Sequence, residues 1–98
     1  MIPSGARVLV ATKPIDFWKG PDRLVALVRD AGADPFSGAL YVFRSKRADR
    51  VKIVWWDGTG LCLFAKHLDE DRFRWPRLED GVIKLSAAQL MALIDHAC

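Results

Sequence analysis

The sequence predicts an α+β fold, a mainly antiparallel meander of about four to six strands with two helices packed on it. Three observations carry that prediction. A turn sequence, Asp57-Gly58-Thr59-Gly60, separates two strand-like runs at 50–56 and 60–68 and so marks a β-hairpin. Two segments place apolar residues at spacings of three and four, the period of a one-sided helix. The order is strand, helix, several strands, helix, and neighbouring hairpins favour antiparallel pairing.

Taken in order, residues 7–12 (Arg-Val-Leu-Val-Ala-Thr) are β-branched and apolar, a first strand. The segment from Lys13 to Lys19 is a loop, because Pro14 prevents simple continuation of the strand. Gly20-Pro21 opens the first helix, where proline's missing N–H has no intrahelical partner to lose. Leu24, Leu27, Val28 and Ala31 form its apolar stripe, Val25 widens it, and Gly32 stops it. Asp34-Pro35-Phe36-Ser37-Gly38 is a turn cluster. Residues 40–43 are a second strand, 50–56 a third and 60–68 a fourth. Phe73-Arg74-Trp75, ended by Pro76, and Val82-Ile83-Lys84-Leu85 are two further short strand candidates. The last helix begins with a capping box, Ser86 at the N-cap and Gln89 three residues on, and Leu85 can staple onto Leu90. Leu90, Leu93, Ile94 and Ala97 are its buried stripe.

The 98 residues fit one domain, 1–98, and 51 % apolar against 28 % charged content supports a packed core rather than a disordered chain. No apolar run reaches the ~20 residues of a membrane helix. The N-terminus lacks the basic-then-apolar pattern of a secretory signal, so a cytoplasmic protein is expected. Cys62 is then read as a buried free thiol and Cys98 as a terminal one, since such a chain is kept reduced.

Catalytic and metal chemistry lack an inventory. His67 and His96 are the only histidines and neither has a partner at ligand spacing. Cys62, inside a core strand, is placed where a thiol is inert. Asp16, Asp57 and the run Asp69-Glu70-Asp71 are the carboxylates a Mg²⁺ nuclease would need, and each has an ordinary loop, turn or solvated role. No enzyme activity, cofactor or metal is expected.

One segment stands out in charge. Residues 44–52 hold Arg44, Lys46, Arg47, Arg50 and Lys52 against Asp49 alone, a net +4 in a chain whose total is +3. Period-two alternation on the third strand separates Val51, Ile53 and Trp55 from Arg50, Lys52, Val54 and Trp56. The second set offers two cations and an indole to one face, and Arg72 and Arg74 alternate in the same way. Cations neutralise phosphates and aromatics stack on bases, so this is a DNA-binding pattern. A solvated hairpin with edge-protecting charges fits the same residues. Of the adjacent Trp55 and Trp56, one belongs in the core; the other is packed under a helix or exposed to a partner.

These residues also carry a resemblance. Asp34-Pro35-Phe36-Ser37-Gly38, Val42-Phe43-Arg44, the run from Asp49 through Trp55-Trp56-Asp57-Gly58-Thr59-Gly60-Leu61-Cys62-Leu63 to Lys66, and Phe73-Arg74-Trp75-Pro76 closely resemble the small second-open-reading-frame accessory protein of insertion-sequence-66-type transposable elements. Pro14-Ile15-Asp16-Phe17-Trp18-Lys19-Gly20 and Leu85-Ser86-Ala87-Ala88-Gln89-Leu90 fit too, although Trp18 stands where the family commonly has arginine. The resemblance implies a bacterial accessory factor in DNA transposition, with strand-transfer chemistry left to a separate transposase. Its DNA contacts are then expected at Arg44, Lys46, Arg47, Arg50, Lys52, Trp56, Arg72 and Arg74. The alternative is an adaptor that binds the transposase or itself through exposed tryptophans and the strand at 73–75.

Overall fold

A computed structural model describes residues 7–11, 14–15, 20–69, 73 and 82–95. Within them the elements run β1 (Val8–Ala11), α1 (Pro21–Asp30), β2 (Leu40–Arg44), β3 (Arg50–Trp56), β4 (Leu61–His67), β5 (Val82–Leu85) and α2 (Ala87–Asp95). The five strands form one sheet in the order β4-β3-β2-β1-β5. The β2–β3, β3–β4 and β1–β5 pairs are antiparallel, as expected. The β1–β2 pair is parallel, and it departs from a pure meander. Parallel neighbours need a crossover, and α1 supplies it.

Local chemistry explains the element ends. Pro21 stands at the first turn of α1. Beyond its last turn the Gly32 amide donates to the Arg29 carbonyl at 2.9 Å and the Ala33 amide to the Val28 carbonyl at 3.1 Å. That is a Schellman closure, and it requires the positive φ of +84° that Gly32 adopts. In the β3–β4 turn Gly58 has φ +100°, and Asp57 Oδ1 accepts from the Thr59 amide, the Thr59 hydroxyl and the Gly60 amide at 2.8–2.9 Å. The capping box of α2 forms in both directions: Ser86 N–H to Gln89 Oε1 at 2.8 Å and Gln89 N–H to Ser86 Oγ at 3.1 Å.

The two helices cover opposite faces of the sheet. On one face Val8, Val10, Leu40, Val42, Val51, Ile53 and Trp55 pack with Leu90, Leu93 and Ile94 of α2 and with Phe73. On the other, Tyr41, Phe43 and Val54 pack with Leu24 and Val28 of α1. Period-two alternation therefore holds, but both sets of side chains meet a helix over the middle of the sheet.

Three expectations change. Val54, grouped with the outward residues of β3, is 1 % exposed, because the crossover lays α1 across its face. Ala31 is exposed and caps α1 rather than joining its stripe. Cys62 is only half-buried, because β4 is the outermost strand. Trp18, Arg72, Arg74, Trp75, His96, Ala97 and Cys98 lie outside the described residues, as does the strand expected at 73–75 apart from buried Phe73.

Candidate nucleic-acid interface

The basic segment folds as the β2–β3 connection, and its shape is tightly determined. The Ser45 amide donates to the Arg50 carbonyl at 3.2 Å, and the Arg50 amide donates to Ser45 Oγ at 3.2 Å. The Ser45 hydroxyl donates to Asp49 Oδ1 at 3.0 Å. Ala48 takes φ 61°, a left-handed conformation unfavourable for a residue with a Cβ. It is held there from both sides: its amide donates to the Ser45 carbonyl at 3.1 Å and its carbonyl accepts from Phe73 N–H at 2.7 Å. The Leu68 amide closes on the Asp49 carbonyl at 2.8 Å.

This geometry displays Lys46 and Arg47 at the tip, both exposed, with Arg50 half-buried at the base. Asp49, the one carboxylate of the segment, is turned inward. Partial burial raises its pKa, but bonds from Ser45, its own amide and His67 outweigh that and hold it below the ordinary value. His67 Nε2 stands 3.4 Å from Asp49 Oδ2. The carboxylate thus stays ionised and engaged while the tip cations point to solvent.

The remaining expected contacts are dispersed. Arg44 ends β2 on the α2 face of the sheet, opposite Val51, whereas Lys52 lies on the α1 face beside Phe43 and Ala65. Both are half-buried. Trp56 is at the other end of β3, about 20 Å from Arg50 at the usual rise per residue. It packs edge-on to Phe36, with ring centroids 5.4 Å apart, and the Arg29 guanidinium lies 5.3 Å from the centre of the Phe36 ring. Arg72 and Arg74 lie outside the described residues. The structure gathers Lys46, Arg47 and Arg50 with His67 at one sheet end and sets Trp56 apart with Phe36 at the other.

Sequence reasoning missed His67 and Phe36. A signal for the first was available: counting back evenly from the turn at 57–60 sets His67 opposite Arg50, the observed register. Phe36 had none, since its neighbours Trp56 and Arg29 are brought to it by tertiary packing. Among the described residues no group of three or more His, Cys, Asp or Glu side chains gathers to hold a metal ion. Among them, too, no helix is long and apolar enough to cross a membrane.

Residues 6–97 match the family model for IS66 Orf2-like proteins. The chain belongs to the IS66 Orf2-like family. That places it with the accessory proteins of transposition. Two similar proteins come from Sinorhizobium fredii (strain NBRC 101917 / NGR234). Uncharacterized protein y4jC is 43 % identical over 91 residues, covering 92 % of this chain and 78 % of its own length. Uncharacterized protein y4hO is 42 % identical over 97 residues, covering 96 % of this chain and 84 % of its own. No solved structure matches the chain.

Proposed function

We propose that this IS66 Orf2-like protein is a non-catalytic transposition factor that binds DNA through the basic turn between β2 and β3. The observation that carries the reading is the turn itself. Its backbone is pinned by Ser45, Asp49, Leu68 and Phe73, and that rigidity presents Lys46 and Arg47 outward with Arg50 at their base. Cations on a rigid mount lose less conformational freedom on meeting a phosphate backbone than cations on a loose loop. Arg44 and Lys52 flank the turn on opposite faces and extend the positive field around the end of the sheet. Arg72 and Arg74 belong to the same proposal by sequence.

Fluorescence anisotropy with duplex DNA from the element ends, titrated with salt, tests this. Arg47→Ala plus Arg50→Ala is expected to weaken binding and to reduce the slope of log affinity against log salt by about 2, one for each lost phosphate contact. No affinity at low salt, or a slope unmoved by the pair, rejects the reading.

A second reading, an adaptor for the transposase, is favoured by Phe36. It is 43 % exposed on a turn braced by Asp34, whose Oδ1 accepts from the Phe36 amide at 2.9 Å. Capture of the transposase that fails with Phe36→Ala and survives the arginine pair would support the adaptor over the DNA binder.

A further inference from the structure

The two edges of the sheet are built differently. β5 has four residues and carries exposed Lys84 near its centre, the usual protection against edge-to-edge pairing. β4 has seven residues, Leu-Cys-Leu-Phe-Ala-Lys-His, with no proline or glycine and an unbroken register against β3 from Trp56↔Leu61 to Arg50↔His67. Among the described residues no strand lies along its other side.

Its backbone is oriented for pairing. In an antiparallel ladder, residues alternate between bonding the neighbour and facing away from it. The Gly60 carbonyl accepts from Asp57, and the Leu68 amide donates to the Asp49 carbonyl, so the even-numbered residues bond toward β3. Leu61, Leu63, Ala65 and His67 therefore aim their N–H and C=O groups outward.

Charge does not guard this edge either. Lys66 folds inward, its Nζ 2.9 Å from the Ile94 carbonyl at the end of α2. His67 turns toward Asp49. Leu63 is left 41 % exposed beside exposed Ala65. A seven-residue strand whose cation is engaged within its own chain meets an identical strand without like-charge repulsion.

We infer that β4 pairs antiparallel with β4 of a second copy, joining two sheets into one across a two-fold axis. The register that uses all seven residues sets Phe64 against Phe64 and Leu63 against Ala65 of the other copy. Leu61 then faces His67, and every outward backbone group finds a partner. The two-fold axis stands perpendicular to the sheet, so each face continues across the join. Arg50 and Lys52 of both copies then share one side of the dimer.

Sedimentation equilibrium of the full chain without DNA tests this, independently of the function proposed above. The mass is expected to rise to twice that of the chain as concentration enters the high micromolar range. Leu63→Lys places a charge on the exposed position. Ala65→Pro deletes an outward N–H that β3 does not use. Each is expected to weaken association by about tenfold or more, roughly 1.4 kcal/mol, with an unchanged circular dichroism spectrum. In a cysteine-free background, a mixture of Leu63→Cys and Ala65→Cys chains is expected to form the mixed disulfide in preference to either self-disulfide. A wild type that stays monomeric throughout, dimerisation unaffected by both folded variants, or no preference for the mixed disulfide overturns the inference.

Discussion

Asp57 shows how one carboxylate can organise a turn. Its Oδ1 collects the Thr59 amide, the Thr59 hydroxyl and the Gly60 amide, while Oδ2 accepts the Cys62 thiol at 3.4 Å. The donors from Thr59 and Gly60, with the thiol after them, stabilise the charged form and pull its pKa from 3.8 to about 2. A carboxylate depressed in the folded state adds stability above its unfolded pKa, and that stability is lost as pH falls through the folded value. Wild type is therefore expected to lose more thermal stability than Asp57→Asn as pH is lowered from 3.8 to about 2, followed by circular dichroism. The same contact acts on Cys62, whose pKa is raised first by burial and then by the hydrogen bond and charge of Asp57. In a Cys98→Ser background, Asp57→Asn is expected to speed iodoacetamide alkylation of Cys62 at neutral pH, read by mass spectrometry. The turn residues were legible in the sequence, since glycine supplies the positive φ a tight turn requires and aspartate caps its backbone amides; the thiol's link to the turn was not, because it depends on which way the Cys62 side chain points.

At the scale of elements, α2 is the clearest case of local coding. Ser86 and Gln89 close its first turn, and Leu85 packs on the same cluster as Leu90. Removing the cap oxygen with Ser86→Ala is expected to cost about 1 kcal/mol of unfolding free energy in urea titrations, without moving the helix boundary. The other end of α2 depends on a distant residue, Lys66 of β4, which reaches the Ile94 carbonyl and adds a cation where the helix dipole is negative. The basic turn mixes the two cases. Its charge was evident from Arg44, Lys46, Arg47, Arg50 and Lys52 in a row. Its rigidity was not, because Leu68 and Phe73 supply hydrogen bonds from outside the turn, and Ala48 in a left-handed conformation gives no mark in sequence.

For the molecule as a whole, the sheet separates two cores. Leu24 anchors one beneath α1 and Leu90 the other beneath α2, and each is fully buried. Leu24→Ala and Leu90→Ala are each expected to destabilise by about 2–5 kcal/mol, measured by chemical denaturation, because each leaves a cavity between a helix and the sheet. Central β3 takes part in both cores, which is why the hairpin requires Ile53 and Val54 on opposite sides of the sheet.

By itself the sequence determined the elements of this protein. Apolar period, proline and glycine punctuation and the capping box act within a few residues, so they can be read along the chain. It also determined where the positive charge lies and which family the chain resembles. Tertiary structure alone decided that β1 and β2 run parallel, that α1 and α2 take opposite faces, and that Val54 is core. It decided too that Trp56 meets Phe36 at one end while Lys46 and Arg47 stand at the other. These follow from how the crossover returns the chain to the sheet. Alternation states that two side chains face apart, but only the packed helix determines which of them meets water.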